Sequence, residues 1–159
     1  MLTHSIIPVK HRLAFLPSIT KNFLNFESEL FSFAETYSED YQGAYWQFVS
    51  LSNGGKFMYP DIGESVRAIN TDNNMDVTLS SEAYGICITL MVLSQFHAFA
   101  HEYDDEKENE RLYTLYHQLR DYALGHKEAE FILDFIKHPN ALTNDDKAIY
   151  PWGISFDFL

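Results

Sequence analysis

Two histidines, His97 and His101, have the spacing at which one face of a helix could hold a metal ion. Residues four apart are neighbours on a helix surface, and Glu102 adds a carboxylate beside them. The helical zinc-protease motif, however, needs glutamate directly after its first histidine, and this chain has Ala98 there. No third ligand stands at a matching spacing. The pair predicts structural histidines, no metal site is expected, and a metal-dependent enzyme is the least favoured alternative.

The sequence lacks motifs for nucleophilic catalysis and phosphate binding. It has no Gly-x-Ser-x-Gly segment, and Cys87 lies in an apolar run without the cationic neighbours that activate a thiol. Gly54-Gly55 lacks the Gly-Lys-Ser/Thr ending of a phosphate loop. The acids from 104 to 110 do not match the spacing of a calcium loop. We expect no catalytic residues, no enzymatic activity and no cofactor.

The charge of the chain is strongly acidic. Its 159 residues include 11 Lys and Arg against 23 Asp and Glu, a formal charge of −12. Proteins that grip nucleic-acid phosphates or anionic membranes need the opposite balance. We therefore expect neither direct nucleic-acid binding nor membrane binding. The charge is concentrated in one stretch, in which six acids lie between Glu102 and Glu110 with only Lys107 to offset them.

This acidic stretch leaves two interpretations open. Charge runs are usually solvated helix faces that keep a protein soluble. The alternative is a DNA-mimicking inhibitor that occupies the DNA channel of a nuclease. A chain of this size exposes roughly 8,000 Å², so each net charge has about 700 Å², whereas duplex DNA has a charge on the order of every 100 Å². Whole-surface mimicry is excluded, and only the local patch qualifies, with Glu102, Asp104, Asp105 and Glu106 as candidate interaction residues.

The first half of the chain predicts a helix followed by two hairpins. Apolar residues recur at helical spacing over residues 21–37. Residues 45–51 and 56–59 are strand-like and flank Ser52-Asn53-Gly54-Gly55, a strong hairpin signal. Residues 66–71 and 75–79 predict a second strand pair. The sequence thus favours four antiparallel strands.

The second half predicts helices. Residues 83–100 carry no charge, which predicts the buried core helix of a globular fold rather than a membrane span. Asp104 is expected to cap the next helix, which packs through Leu112 to Ala123 and ends at a left-handed Gly125. A short helix follows over residues 129–136. The expected fold is α+β, a single cytoplasmic domain over 1–159 with a small sheet of about four strands packed with several helices.

Two segments of the sequence carry a resemblance to a known family. They are Tyr41-Gln-Gly-Ala-Tyr-Trp-Gln-Phe48 with Leu51-Ser-Asn-Gly-Gly-Lys-Phe-Met-Tyr-Pro60, and Leu119-Arg-Asp-Tyr-Ala-Leu-Gly-His126 with Glu128-Ala129. Together with Phe15-Leu16-Pro17 they resemble the ArdB/KlcA antirestriction family. The resemblance implies a small α+β protein of plasmids and other mobile elements that protects incoming DNA from type I restriction enzymes. It also implies a non-enzymatic protein that does not copy DNA, with no catalytic residues to transfer.

The same resemblance suggests a partner and a second candidate surface. The implied partner is the type I restriction enzyme complex, contacted directly or indirectly; the oligomeric state stays open. Arg120 and Asp121 lie within the second motif but off the apolar stripe of their helix, so they are candidate interaction residues. Residues 138–159 form a C-terminal tail that does not match the family, and we expect it to pack on the core through Trp152, Phe156 and Phe158.

Overall fold

The computed structural model describes residues 1–137, which form five strands and four α-helices. The expected packing of residues 138–159 lies outside this range. The strands are β1 His4–Ile6, β2 Trp46–Leu51, β3 Lys56–Pro60, β4 Val66–Asn70 and β5 Met75–Leu79. The helices are α1 Phe23–Tyr37, α2 Ser81–Glu102, α3 Glu106–Leu124 and α4 Ala129–Ile136. The predicted α+β class is confirmed.

The β2–β3 hairpin forms where the Asn-Gly signal predicts it. Gly54 has a φ of +95°, a left-handed conformation that favours glycine. The Asn53 side-chain oxygen accepts a hydrogen bond from the Gly55 backbone N–H at 2.9 Å. Pro60 ends β3 opposite Trp46, so the strand stops where it loses a donor for the ladder.

The strands form two sheets rather than one, which differs from the expected arrangement. The first sheet has the order β1-β2-β3, and β4 pairs with β5 in a separate ribbon. The outer edge of β3 is already occupied, because the Thr89 hydroxyl of α2 accepts from the Met58 N–H and donates to the Met58 carbonyl oxygen, both at 3.2 Å. Because a helix covers this edge, β3 has no free backbone groups there with which β4 could pair.

Strand β1 was not expected from the sequence. Its three residues are all exposed, so they show no alternation of apolar and polar side chains. Pairing with β2 brings His4 opposite Leu51 and Ile6 opposite Val49. The strand is therefore defined by its partner and not by its own pattern.

Helix α2 is the centre of the fold, as predicted. Among the described residues it is the one helix long and apolar enough to cross a membrane by length and composition, but 83% of its most apolar window is buried inside the protein. It packs against α1, α3, α4 and β3. Ser80 caps its first turn by accepting a hydrogen bond from the Ala83 N–H at 3.0 Å.

Two predicted helix ends are wrong. Asp105, not Asp104, caps α3, and its carboxylate accepts from the Glu108 N–H at 3.3 Å. Asp104 instead has a φ of +56° and turns the chain between α2 and α3. This turn places Asp105 at the N-cap position of α3. Gly125 has a φ of −94°, so it is not a left-handed stop. The buried face of α3 is as predicted, and its members are Leu112, Leu115, Tyr116, Leu119 and Ala123.

Candidate interaction surface

The acidic segment Glu102–Glu110 is not a uniform solvated face. Glu108 is buried, and its carboxylate accepts hydrogen bonds from the Thr20 hydroxyl at 2.6 Å and from the Lys21 N–H at 3.4 Å. The Lys21 ammonium forms an ion pair with Asp105. This contact lowers the pKa of the Asp105 carboxyl, first through the hydrogen bond from Lys21. Two of the six acids therefore hold the start of α3 against the segment before α1.

The other four acids of the segment face solvent. They are Glu102, Asp104, Glu106 and Glu110. None of them belongs to the three ion pairs of Lys or Arg found within residues 1–137. The predicted interaction residues thus divide into an exposed set and Asp105, which is half-buried and paired.

The structure separates Arg120 and Asp121 from the acidic segment. Both lie near the C-terminal end of α3, whose first residue is Glu106, so about 20 Å of helix stands between the two candidate sets. Arg120 is half-buried and Asp121 is exposed. The six candidate residues do not form one site.

Sequence reasoning missed a groove beside the acidic segment. It lies between α1, the end of α2 and the start of α3, and its volume is about 500 Å³. Two aromatic side chains of α2 and its C-terminus, Phe99 and Tyr103, line it and remain 45% and 78% exposed. The only available signal was that these residues are four apart at the end of an apolar run that otherwise packs into the core.

The polar residues of the second motif mostly hold helices together. The His126 Nδ1 atom accepts a hydrogen bond from the Glu128 N–H at 3.0 Å, and its Nε2 atom forms a hydrogen bond with the Glu82 carboxylate at 3.0 Å. Tyr122 donates to the same Glu82 carboxylate at 3.4 Å. These contacts lower the pKa of Glu82, chiefly through His126. The Glu128 carboxylate in turn accepts from the N–H and the hydroxyl of Ser80 at 2.9 and 2.6 Å.

The residues that suggested catalysis or metal binding lie in the core or apart from further ligands. Cys87 is fully buried, and burial raises the pKa of its thiol. His97 is buried beside the Tyr113 ring at 5.8 Å, whereas His101 is exposed. Within residues 1–137 no group of three His, Cys, Asp or Glu side chains could hold a metal ion.

The burial of His97 predicts a pH-dependent stability. Desolvation lowers its pKa from 6.5 to about 4, and the charges of His101 and His117 act in the same direction. Well above pH 6.5 the imidazole is neutral in both the folded and the unfolded chain. As the pH falls, the unfolded chain binds a proton first. We expect this group to remove about 2 kcal/mol of stability between pH 7.5 and pH 5. Urea unfolding at both pH values measures the loss.

Two variants separate the contribution of His97 from that of other groups. His97→Gln should show a smaller loss of stability on acidification than the wild type. His11→Gln, at an exposed position outside α2, should keep the wild-type pH dependence. An unchanged pH dependence in His97→Gln would show that the buried imidazole is not responsible.

The chain is similar to known proteins over most of its length. The family model "Antirestriction protein" matches residues 39–137. The uncharacterized protein YafX of Escherichia coli K12 is 36% identical over 140 residues, covering 85% of this chain and 88% of YafX. The antirestriction protein KlcA of Escherichia coli is 33% identical over 133 residues, covering 82% of this chain and 92% of KlcA.

A solved structure confirms the fold. It matches with a TM-score of 0.76 and 33% identity, covering 86% of this chain and 95% of the other. It is described as a structure of the KlcA and ArdB proteins, with a novel fold and antirestriction activity against type I DNA restriction systems in vivo but not in vitro. The resemblance expected from the two motifs is confirmed, and the chain belongs to the antirestriction protein family.

Proposed function

We propose that this protein inhibits type I restriction-modification systems in the cytoplasm and so protects unmodified DNA. The observation that carries the proposal is the match to the KlcA and ArdB structure over 86% of the chain, because those proteins have this activity in vivo. The family model supports it independently over residues 39–137. On this proposal residues 1–159 act as one antirestriction domain.

We also propose that the protein acts by binding and not by catalysis. Within residues 1–137, the cysteine and two of the histidines are engaged in the fold. Cys87 and His97 are buried in the core, and both ring nitrogens of His126 are used in contacts with Glu82 and Glu128. On this proposal the chain needs no cofactor, and its partner is the type I restriction complex, reached directly or through another cellular component.

DNA mimicry by the acidic segment is the less favoured mode. A mimic must present closely spaced, solvent-facing charges, because duplex DNA carries one charge per about 1.7 Å of its axis. Asp105 and Glu108 are instead committed to Lys21 and Thr20, which leaves a gap in the middle of the segment. The relatives' lack of activity in vitro also argues against simple occupation of the enzyme's DNA channel.

A plating experiment tests the proposed function. Unmodified phage is plated on cells with a type I restriction system, with and without expression of this protein. We expect plating efficiency to rise toward that of modified phage. Modified phage, and cells that lack the restriction system, provide the controls and should show no effect. Unchanged restriction in cells that accumulate the folded protein would contradict the proposal.

A further inference from the structure

The groove beside the acidic segment combines an apolar floor with open aromatic walls. Phe96, Ala100 and Leu112 are buried at its base, and Phe96 packs against Phe99 with ring centroids 6.1 Å apart. Phe99 and Tyr103 stand above this floor with large exposed fractions. The groove thus presents exposed aromatic rings to solvent beside a base that is apolar at Phe96, Ala100 and Leu112 and polar at the buried Thr20 and Glu108.

The surroundings of the groove are negative. Glu29 of α1 and Asp105 and Glu108 of α3 line it, and three further acids adjoin it in the chain: Glu102, Asp104 and Glu106. Lys21 is the base that lines the groove, whereas Lys107 and Arg111 line a separate cavity. Lys21 is paired with Asp105, and Arg111 lies 3.6 Å from the Glu108 carboxylate. Glu29 belongs to none of the ion pairs within residues 1–137.

Exposed aromatic rings beside Glu29, a carboxylate outside the ion pairs of residues 1–137, suit a particular class of ligand. A guanidinium group stacks on aromatic rings through its planar cation and donates paired hydrogen bonds to a carboxylate. Its aliphatic stem also fits an apolar floor. A nucleic acid or an acidic peptide would be repelled by the same carboxylates. The chemistry of this groove therefore selects an arginine-bearing segment of a protein.

We propose that the groove binds an arginine-rich segment of the protein partner, with a guanidinium between Tyr103, Phe99 and the Glu29 carboxylate. The inference rests on the proposed function for the identity of the partner: surfaces that bind DNA are rich in arginine and lysine, and a type I restriction complex works on DNA. A single side chain is recognised here, so the contact needs neither the charge density nor the length of a DNA mimic.

A binding measurement tests the groove by itself. The probe is a fluorescein-labelled arginine-rich peptide, and its counterpart with glutamate at the arginine positions is the matched negative probe. Fluorescence anisotropy with the full-length protein should show binding of the arginine peptide alone. Phe99→Ala/Tyr103→Ala and Glu29→Gln should each weaken binding by about tenfold, which corresponds to about 1.4 kcal/mol.

Two control variants separate the groove from general acidity. Phe131→Ala removes an aromatic ring of similar exposure (49%) from α4. Glu110→Gln removes an exposed acid of the same segment that does not line the groove. Both should bind the peptide like the wild type. Equal weakening in these controls, no binding by the wild type, or binding of the glutamate peptide would overturn the proposal.

The plating assay then shows which hypothesis is contradicted, the role of the groove or the antirestriction function itself. Phe99→Ala/Tyr103→Ala should lose protection of unmodified phage, whereas Phe131→Ala should keep it, provided that both show the wild-type circular dichroism spectrum. Protection by the groove variant equal to that of the wild type would overturn the groove's part in antirestriction while the function stands. A wild type that does not protect would contradict the function, and peptide binding would still decide whether the groove takes arginine.

Discussion

Gly85→Ala is expected to destabilise the protein by about 3 kcal/mol, because helix α2 touches strand β3 at this residue. An added Cβ would lie 2.1 Å from the Tyr59 Cβ, 2.4 Å from the Tyr59 Cα and 2.5 Å from the Met58 carbonyl oxygen. Two of these atoms are backbone, so the helix and the strand would have to separate. The higher helix propensity of alanine offsets only about 1 kcal/mol of this loss of stability. Urea unfolding at pH 7.5 measures the change.

A second glycine provides the matched control. At Gly125 the nearest atom to an added Cβ is the Tyr122 carbonyl oxygen at 3.8 Å, and the φ of −94° suits alanine. Gly125→Ala should therefore change the free energy of unfolding by less than about 0.5 kcal/mol. If the two variants had the same stability, the close approach of α2 to β3 would be refuted.

The elements of the fold are predictable from sequence wherever a local pattern defines them. The β2–β3 hairpin follows from Asn53-Gly54, and α1 and α2 follow from apolar spacing or an uncharged run. The division into two sheets was not predictable in this way. It depends on Thr89 covering the edge of β3 at Met58, a contact between residues 31 positions apart. Strand β1 was missed because its exposed residues carry no pattern.

The candidate surface was predictable only in part, for a similar reason. The sequence identifies Glu102–Glu110 as one acidic group, but it contains no sign that Glu108 turns inward to Thr20, which is 88 positions away. The groove was missed because Phe99 belongs to an apolar run, and the pattern of such a run does not tell which ring stays in solvent. Charge spacing shows where a surface is acidic, whereas tertiary packing decides which acids are available to a partner.

Glu108→Ala is expected to lower the free energy of unfolding by about 3 kcal/mol, because this carboxylate makes contacts inside the fold and is not part of the acidic surface. Its loss leaves the Thr20 hydroxyl, which is fully buried, without its acceptor, and also frees the Lys21 N–H. Charge-assisted hydrogen bonds contribute about 1.5–3 kcal/mol. An acid in the first turn of a helix adds about 0.3–1 kcal/mol. Urea unfolding of the variant at neutral pH gives the value.

Glu110→Ala is the control that separates the loss of the Glu108–Thr20 contact from the change in net charge. Both substitutions remove one negative charge from a chain of formal charge −12, so both relieve the same general repulsion. Glu110 is exposed on the same helix and outside the ion pairs of residues 1–137, so its removal should leave stability within about 0.5 kcal/mol of the wild type. A similar small effect for Glu108→Ala would mean that the link to Thr20 does not stabilise the fold. A large difference would show that the acidic segment holds the start of α3 in place, and with it one wall of the groove.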